Sequence, residues 1–430
     1  MHFNSRLTSV FLATAAAALI AWPMSAAAQG VTAIKAGKLF DSKTGTNLQN
    51  QVIIVTGERV TDVGPAATVK IPAGARVIDL SFATVLPGLI DGHVHLTDGL
   101  ADPNMELRKA IDADLKAGFT SVVAQGSHTD RGKAGGSWVD TDTQKLIDSG
   151  KMVGPRIFSA GPIVGQEIKA TTPDEYRKGI DELHAHGATH VKIVPNTTYS
   201  WDKQGKMSNT NVVTLDELKA AVDEAHKNGM FVATHSYGGP GLKYAIEAGV
   251  DDIQHGVAAD DDDIKALIAK KLPVTSTILD LRQDEPADLI KSAPYSKYRT
   301  MKDTWIKMMK AGVILGFGSG ATPVTNGGGR IFDRTCQCSH GIQAEHLVLL
   351  TEWGATPAYV LKMATSVNAM ILKRDKDLGS IEKGKYADII ATDGDPLQDI
   401  TEIQNVTFVM KGGQVVKNEL APKPASTATR

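Results

Sequence analysis

The sequence predicts an α/β protein, a (β/α)8 TIM barrel joined to a small β-sandwich domain that is built from both chain ends. Short apolar segments recur along the middle of the chain and are followed by amphipathic helical segments. Both ends instead contain short strand-like segments separated by Gly and Pro turns. Alternating strands and helices favour a parallel sheet covered by helices, and strands at both ends are most simply placed in one shared domain.

The predicted barrel strands are short, apolar and each leads into a helical or turn segment. They are Val85–His93, Thr120–Ala124, Arg156–Ala160, His190–Val194, Phe231–His235, Asp252–His255, Val274–Thr277 and Ile314–Gly318. Helical periodicity between them is clear in Pro173–His186, Leu215–Asn228 and Ile264–Lys270. In such a barrel the catalytic groups lie at the C-terminal ends of the strands, so we expect the ligands of any active site there.

The change of pattern divides the chain into two domains. We predict a small β-sandwich from residues 29–84 and 371–420, and the barrel over residues 85–370. A length of 430 residues is normal for a large barrel with a small companion domain. The predicted strands of the small domain are Thr32–Ala36, Gln51–Thr56, Arg59–Val63, Ala75–Asp79, Asp388–Thr392, Thr407–Lys411 and Gln414–Lys417.

Residues 1–28 have the three parts of a signal peptide. Arg6 supplies the positive charge, residues 10–21 form a short apolar region, and residues 25–28 are the small residues of a cleavage site before Gln29. The apolar run is too short for a typical membrane span, and no later stretch is long enough either. We therefore expect an exported enzyme, periplasmic or secreted, with no membrane span once the signal is removed.

Charge and cysteine content narrow the functional class. The net charge of −2 gives no indication of a nucleic-acid partner. The only two cysteines, Cys336 and Cys338, are separated by one residue, a spacing that rarely meets disulfide geometry. Two thiols without nearby partners are weak support for a metal site, so we interpret them as ordinary loop thiols whose role is open.

Histidines occupy the expected ends of three predicted strands. His93 and His95 alternate in sequence, so in an extended strand their imidazoles point to the same side and can hold one metal ion. His235 ends the fifth strand and His255 ends the sixth. Each histidine alone is compatible with a structural role, but four at strand ends predict one shared metal site.

Lys192 lies inside the apolar fourth strand, where an ammonium group is costly to bury. One interpretation is a lysine that reaches solvent or pairs with an acid. The other is a lysine carboxylated by carbon dioxide, whose anionic carbamate bridges two metal ions. We favour the second, and predict metal-ligating and catalytic roles for Lys192, His235 and His255.

The chain resembles the metal-dependent amidohydrolase superfamily, and within it the Xaa-Pro dipeptidase and imidazolonepropionase-like branch, which includes amidases that split ochratoxin-type amides. The matching residues are Lys192, His235, His255, Pro87-Gly88-Leu89-Ile90-Asp91-Gly92-His93-Val94-His95 and the C-terminal segment Gly379-Ser380-Ile381-Glu382-Lys383-Gly384-Lys385-Tyr386-Ala387-Asp388-Ile389-Ile390. The resemblance implies two divalent metal ions, usually zinc. His93 and His95 would bind one, His235 and His255 the other, with carboxylated Lys192 between them. Relatives in this branch are often oligomeric, which implies a homo-oligomer.

One position departs from the family pattern. The family normally ends strand eight with an Asp that binds metal and transfers the proton of the bridging water, but here Gly320 stands at that position. Gly320 has no side chain for either task. Asp333 in the following insertion is a candidate replacement, whereas Asn326 is no base. The identity of the catalytic base is therefore open.

The resemblance implies a hydrolase that uses metal-activated hydroxide to cleave the amide bond of a dipeptide-like or N-acyl amino acid, with an ochratoxin-type amide as one candidate. The predicted signal peptide adds export. A small-molecule amide would be its partner. Tyr237 and Arg330 are candidates for binding the substrate carboxylate, although ordinary surface-loop roles are equally compatible with the sequence. Two alternatives stay open: a cyclic-amide hydrolase of the imidazolonepropionase type, and a metal-binding protein that has lost catalysis.

Overall fold

The computed structural model describes residues 30–97, 103–127, 137–201, 207–277, 297–322 and 339–419. Its strands are β1 Val31–Asp41, β2 Thr46–Thr56, β3 Arg59–Pro65, β4 Arg76–Pro87, β5 Leu89–Val94, β6 Phe119–Ala124, β7 Arg156–Ser159, β8 His190–Ile193, β9 Asn196–Trp201, β10 Met207–Asn211, β11 Phe231–Ser236, β12 Asp252–His255, β13 Val274–Ser276, β14 Leu315–Phe317, β15 Ile389–Thr392, β16 Val406–Lys411 and β17 Gln414–Asn418.

The described helices lie between the central strands and after them. They are α1 Pro103–Lys116, α2 Val139–Asp148, α3 Pro173–His186, α4 Leu215–Lys227, α5 Gly239–Ala248, α6 Asp261–Lys270, α7 Lys297–Ala311, α8 Ala344–Glu352, α9 Pro357–Lys362 and α10 Asn368–Ile371, with a π-helical turn Met363–Val367 and a 3-10 turn Ile400–Gln404. Within these ranges, none combines the length and apolar character needed to cross a membrane.

Helix starts are set by local sequence. Thr214 begins α4 with a capping box, since its hydroxyl accepts from the Glu217 backbone while the Glu217 side chain reaches back to the Thr214 backbone. Asp260 and Asp263 form the same arrangement at α6. These caps satisfy backbone donors that the first turn leaves unpaired, so each strand passes into its helix at a defined residue.

The two chain ends meet in one seven-stranded sheet, in the order β17-β16-β15-β4-β1-β2-β3. The join is the antiparallel pairing of β4 with β15, which places Pro87 opposite Ile389. The expected contribution of both ends to one small domain is therefore visible. Where the sequence predicts a two-layered sandwich, the described strands pair as a single continuous sheet.

Gly88 separates this sheet from the central strands. The sequence predicts one strand over Val85–His93, and this is wrong, because β4 continues in the small sheet to Pro87 and β5 begins at Leu89. A Cβ at Gly88 would lie only 2.0 Å from Oγ1 of Thr120, so only glycine allows this close passage. The small sheet thus extends beyond residue 84, the predicted domain boundary.

Eight parallel strands follow, and each overlaps one of the segments that the sequence predicts as central strands. Three pair in the order β5-β6-β7 and five in the order β14-β13-β12-β11-β8. Between the two sheets, the amide of Thr189 donates to the carbonyl of Ser159 (2.8 Å), and Val94 forms a parallel bridge with Ala321. The described strands thus form two parallel sheets that meet at these two seams, and continuous pairing around the expected (β/α)8 barrel is not observed among them.

Asn368 links β5 to β14 at the second of these seams, from inside the core. Its side-chain amide donates to the carbonyls of Ile90 (2.8 Å) and Phe317 (2.7 Å), and its oxygen accepts from the Phe317 amide (3.1 Å). Asn368 is buried and directly follows the π-helical turn. One side chain therefore holds the first central strand, β5, against the last, β14.

Candidate metal centre

The four predicted histidines lie together at the C-terminal ends of β5, β11 and β12. Nε2 of His93 is 3.2 Å from Nε2 of His95, and Nε2 of His255 is 2.9 Å from Nδ1 of His235. The rings of His93 and His255 approach to 4.8 Å between centroids, so the two pairs adjoin. The structure thus brings together the residues that the sequence placed at separate strand ends.

Gln254 determines which nitrogen of His93 faces the other imidazoles. Nδ1 of His93 donates to Oε1 of Gln254 (2.6 Å), and Nε2 of Gln254 donates to Oδ2 of Asp252 (2.5 Å). Asp252 in turn accepts from the hydroxyl (2.8 Å) and the amide (3.1 Å) of Thr275. Because an amide oxygen only accepts, Nδ1 carries the proton and Nε2 of His93 keeps a lone pair.

His255 is oriented from the next strand. Its Nδ1 lies 2.5 Å from Oγ1 of Thr277, which leaves Nε2 directed at His235. The His255 backbone has a φ of 80°, which is rare for a residue with a side chain. Such a conformation costs about 1–3 kcal/mol and persists where the surroundings enforce it, commonly at functional sites.

The electrostatics of the site keep the imidazoles neutral. Burial, together with the positive charge of Lys192, lowers the pKa of His235 to about 3. Burial likewise lowers the pKa of His93 and His255 well below its usual range, with Lys192 and the neighbouring histidines adding to the effect. Neutral imidazole is the form that binds metal, so these three rings have the correct protonation state.

Lys192 lies on β8, paired in register with Ala233 of β11, and is 2% exposed. As an ammonium group it acts unfavourably on His93, His235 and His255, whose pKa values it lowers. A carbamate on the same side chain would reverse the sign of this interaction. The placement therefore fits the predicted bridging anion.

The nitrogen separations fit two ligands of one tetrahedral metal ion. Two nitrogens at about 2.0–2.1 Å from one ion at a tetrahedral angle are about 3.3 Å apart. The His93–His95 separation is 3.2 Å and the His235–His255 separation is 2.9 Å. In the described ranges no three His, Cys, Asp or Glu side chains form a metal cluster on their own. The donors are two histidine pairs, and Lys192 would have to supply the remaining anionic ligand.

Gly320 lies directly beside this centre. Its amide donates to the carbonyl of His93 (2.8 Å), and the preceding amide of Ser319 donates to Oδ1 of Asp91 (3.0 Å). Asp91 also accepts from the His93 amide, and burial raises its pKa to about 7. Strand eight therefore reaches the site but contributes no side chain at Gly320. Asp333, the candidate replacement, and Asn326 lie outside the described residues.

Tyr237 also lies against the metal centre. Its ring is 4.9 Å from that of His235 and 5.0 Å, edge to face, from that of His255. It is 8% exposed, so little of its surface is accessible for a substrate contact. Arg330, the other predicted substrate-binding residue, and Cys336 and Cys338 lie outside the described residues.

Sequence reasoning missed the residues that position the ligands. Asp252 and Gln254 alternate on β12, and this is the same spacing that identified His93 and His95. His340 had no comparable signal: its Nδ1 contacts Asp114 (2.8 Å), 226 residues away, and its Nε2 donates to the carbonyl of His95 (3.1 Å). Burial alone would lower the pKa of His340, but Asp114 outweighs it and raises that pKa.

Comparison with known proteins gives a family match over most of the chain. The model of the amidohydrolase family matches residues 84–416. The ochratoxinase of Aspergillus niger is 24% identical over 448 aligned residues, covering 90% of this chain and 87% of that protein. The imidazolonepropionase of Cutibacterium acnes is 24% identical over 385 residues, covering 82% and 87%.

Solved structures agree with these relatives. A Xaa-Pro dipeptidase with methionine bound in its active site has a TM-score of 0.74 and 26% identity, over 90% of this chain and 100% of that one. The predicted branch is therefore confirmed. These neighbours imply a TIM-barrel-type fold with an additional domain, and together the comparisons identify a hydrolase that acts on carbon–nitrogen bonds.

Proposed function

Because this chain belongs to the amidohydrolase family, we propose that it is an exported, metal-dependent hydrolase that cleaves the amide bond of a dipeptide-like or N-acyl amino acid substrate. The observation that supports this most directly is the convergence of two imidazole pairs on one buried lysine at the ends of parallel strands. The similarity to a Xaa-Pro dipeptidase and to an ochratoxinase supports an open-chain amide next to a carboxylate.

The chain's own residues would hold the reacting groups in place. His93, His95, His235, His255 and carboxylated Lys192 would hold two divalent ions, for which we propose zinc. When bound, such a pair supplies a Lewis acid for the amide carbonyl and a lowered pKa for water. The hydrogen bond from His93 to Gln254 maintains the ligand tautomer, and burial maintains neutral imidazoles.

Substrate orientation would fall to Tyr237, whose ring borders both His235 and His255. A phenol donates one hydrogen bond and can thus receive a substrate carboxylate or carbonyl oxygen. The absence of a side chain at Gly320 leaves proton transfer without its usual carrier. We propose that the enzyme turns over without a carboxylate at this position, more slowly than it would with one.

Export, the closed barrel and self-association are proposed on separate grounds. Residues 1–28 have the composition of a signal peptide, which favours a periplasmic or secreted location. The bonds at both seams favour closure of the eight parallel strands. The homo-oligomer is proposed only because similar proteins are often oligomeric.

Metal analysis combined with a substrate panel tests the proposal. The purified mature protein should contain about two metal equivalents and hydrolyse N-acyl amino acids or Xaa-Pro dipeptides in preference to cyclic amides. His235→Ala should lose one equivalent and the activity while melting as a folded protein. Preference for a cyclic amide would favour the imidazolonepropionase-like alternative, and metal binding without turnover of any amide would favour a protein that has lost catalysis.

A further inference from the structure

A polar cavity, separate from the metal centre, lies at the opposite end of the parallel strands from the histidines. It has a volume of about 300 Å³ and is bordered by Arg156, Arg374, Lys411, Glu58 and Asp148. Arg156 is the first residue of β7, so it lies at the N-terminal end of a central strand. Lys411 is the last residue of β16 in the small sheet. The cavity is thus formed where the small sheet meets the central strands.

The guanidinium group of Arg156, which borders this cavity, stacks on the ring of Tyr386. Arg59 and Arg156 lie over opposite faces of the Tyr386 ring, 3.6 Å and 3.8 Å from its centroid. Arg59 is paired with Asp377 at 2.7 Å. The closest carboxylate contact of Arg156 is Asp388 at 3.6 Å, which is beyond good hydrogen-bond distance. Stacking on Tyr386 fixes the plane of Arg156 without satisfying its donors.

Two cationic donors at this cavity lack an acceptor among the described residues. Nε of Arg156 is buried and makes no hydrogen bond there. Lys411, which is only partly exposed, forms no ion pair within the same ranges, although Glu58 and Asp148 also border the cavity. Buried cations are normally paired, and an unmade charged hydrogen bond is costly. A ligand that supplies acceptors would remove this cost.

We propose that this cavity is a binding site for a small oxyanion, a carboxylate or phosphate group, held between Arg156 and Lys411. A planar guanidinium and a nearby ammonium are the donors that such groups prefer in proteins. The basic residues of the wall outnumber the acidic ones by three to two. Because Arg156 belongs to the central strands and Lys411 to the small sheet, bound oxyanion would also stabilise their junction.

Thermal melting of the metal-loaded protein tests this site, with inorganic phosphate and acetate as probes at constant ionic strength. The melting temperature should rise saturably with at least one probe, and the tighter probe identifies the preferred oxyanion. Lys411→Gln, which removes the ammonium at nearly constant length, should weaken binding by about tenfold, as expected for one charge-assisted hydrogen bond. Lys383→Gln is the matched control, because Lys383 is exposed and lies outside the cavity.

A second variant tests the same site in case Lys411→Gln does not fold. Gln414 is exposed at the cavity rim, so Gln414→Glu adds a negative charge without deleting a contact, and it should also weaken binding. His235→Ala should retain binding, which separates this site from oxyanion binding at the metal centre. The proposal is overturned by absence of saturable binding, by loss only in His235→Ala, or by equal effects of Lys411→Gln and Lys383→Gln.

Discussion

Gln254 accepts a 2.6 Å hydrogen bond from Nδ1 of His93, although the two residues lie 161 positions apart in the chain. The same amide donates to Asp252 at 2.5 Å, so its orientation is fixed from both ends. A metal-ligating histidine is usually held by such a partner on its second nitrogen. The candidate metal centre therefore has supporting residues, Gln254 and Asp252, that would not bind the metal themselves.

Replacing Gln254 should weaken metal binding without removing a ligand. We expect Gln254→Leu to lower metal affinity about 10–100-fold, because Nδ1 of His93 loses its acceptor and the ring its orientation. Gln254→Glu keeps an acceptor for His93 but loses the donor to Asp252. Because burial raises the pKa of Asp252 to about 7, the two carboxyl groups can share a proton, and metal affinity should fall less than in Gln254→Leu. Chelator competition on both purified variants measures this. Equal affinity of Gln254→Leu and the parent would show that His93 is oriented by other contacts.

Removing Lys192 should empty the metal centre. An ammonium group next to two dications would be repelled, whereas a carbamate would bind both, so Lys192→Ala should lose metal and activity together. Small carboxylic acids should partly restore both by replacing the missing anion. Metal content, measured with and without added acetate, is the primary readout. Full metal occupancy in Lys192→Ala would contradict a bridging role.

Gly320→Asp should increase turnover. The nearest atoms to a Cβ at this position are Cβ and Cγ2 of Thr277, at 3.7 Å and 3.8 Å, so a side chain has room. The φ of 70° is one that Asp tolerates better than most residues. General acid–base help is worth about 10²–10⁴-fold, which sets the upper range of the gain in kcat.

Gly320→Asn is the matched control, since it has the same shape but does not accept a proton as a carboxylate does. Asp333→Asn should be silent if nothing replaces the missing carboxylate. A large loss of kcat in Asp333→Asn, with little effect of Gly320→Asp, would instead identify Asp333 as the base. If neither variant changes kcat, His340 and Asn326 become the next residues to test.

Asp251→Asn should destabilise the fold in a pH-dependent way. Asp251 accepts from Lys373 (2.8 Å), His226 (2.7 Å) and the Val232 amide (2.8 Å). Burial would raise the pKa of Asp251, but these partners outweigh it and lower that pKa below its usual 3.8. We expect a loss of about 1 kcal/mol at neutral pH, because Lys373 is 64% exposed and the pair is screened by solvent.

The sign of the pH dependence follows from the lowered pKa. Stabilisation by Asp251 is present above pH 3.8 and is lost as the pH falls through the folded-state pKa. Urea unfolding of the parent and Asp251→Asn should therefore differ at pH 7 and converge as the pH falls from 3.8 through the lower folded-state pKa. Asp393→Asn, at an exposed carboxylate, should show no such convergence. A constant difference at all pH values would mean that the charge of Asp251 is not responsible.

Export predicts a shortened mature chain. Protein isolated from its native host should begin near Gln29, since residues 25–28 form the expected cleavage site. N-terminal sequencing and cell fractionation measure this directly. A cytoplasmic protein that retains Met1 would contradict both the signal peptide and the periplasmic or secreted location.

The order of the central strands and the positions of the histidines could be predicted from the residue pattern alone. Strand alternation placed His93 and His95 on one side, and short apolar runs placed His235 and His255 at strand ends, because these patterns have local periods that a sequence displays directly. The contribution of both chain ends to one small domain followed from composition in the same way. Gly320 was identified because it departs from the pattern of the family that the chain resembles.

The distant residues that support the site become visible only in the folded protein. Gln254 against His93, Thr277 against His255 and His340 against Asp114 are contacts between separate strands and loops. No local period encodes such contacts, since they depend on how neighbouring strands align in register. The interruption between β4 and β5 at Gly88 also depends on a tertiary contact. Glycine is required there because a Cβ would lie 2.0 Å from Oγ1 of Thr120 on the adjacent strand.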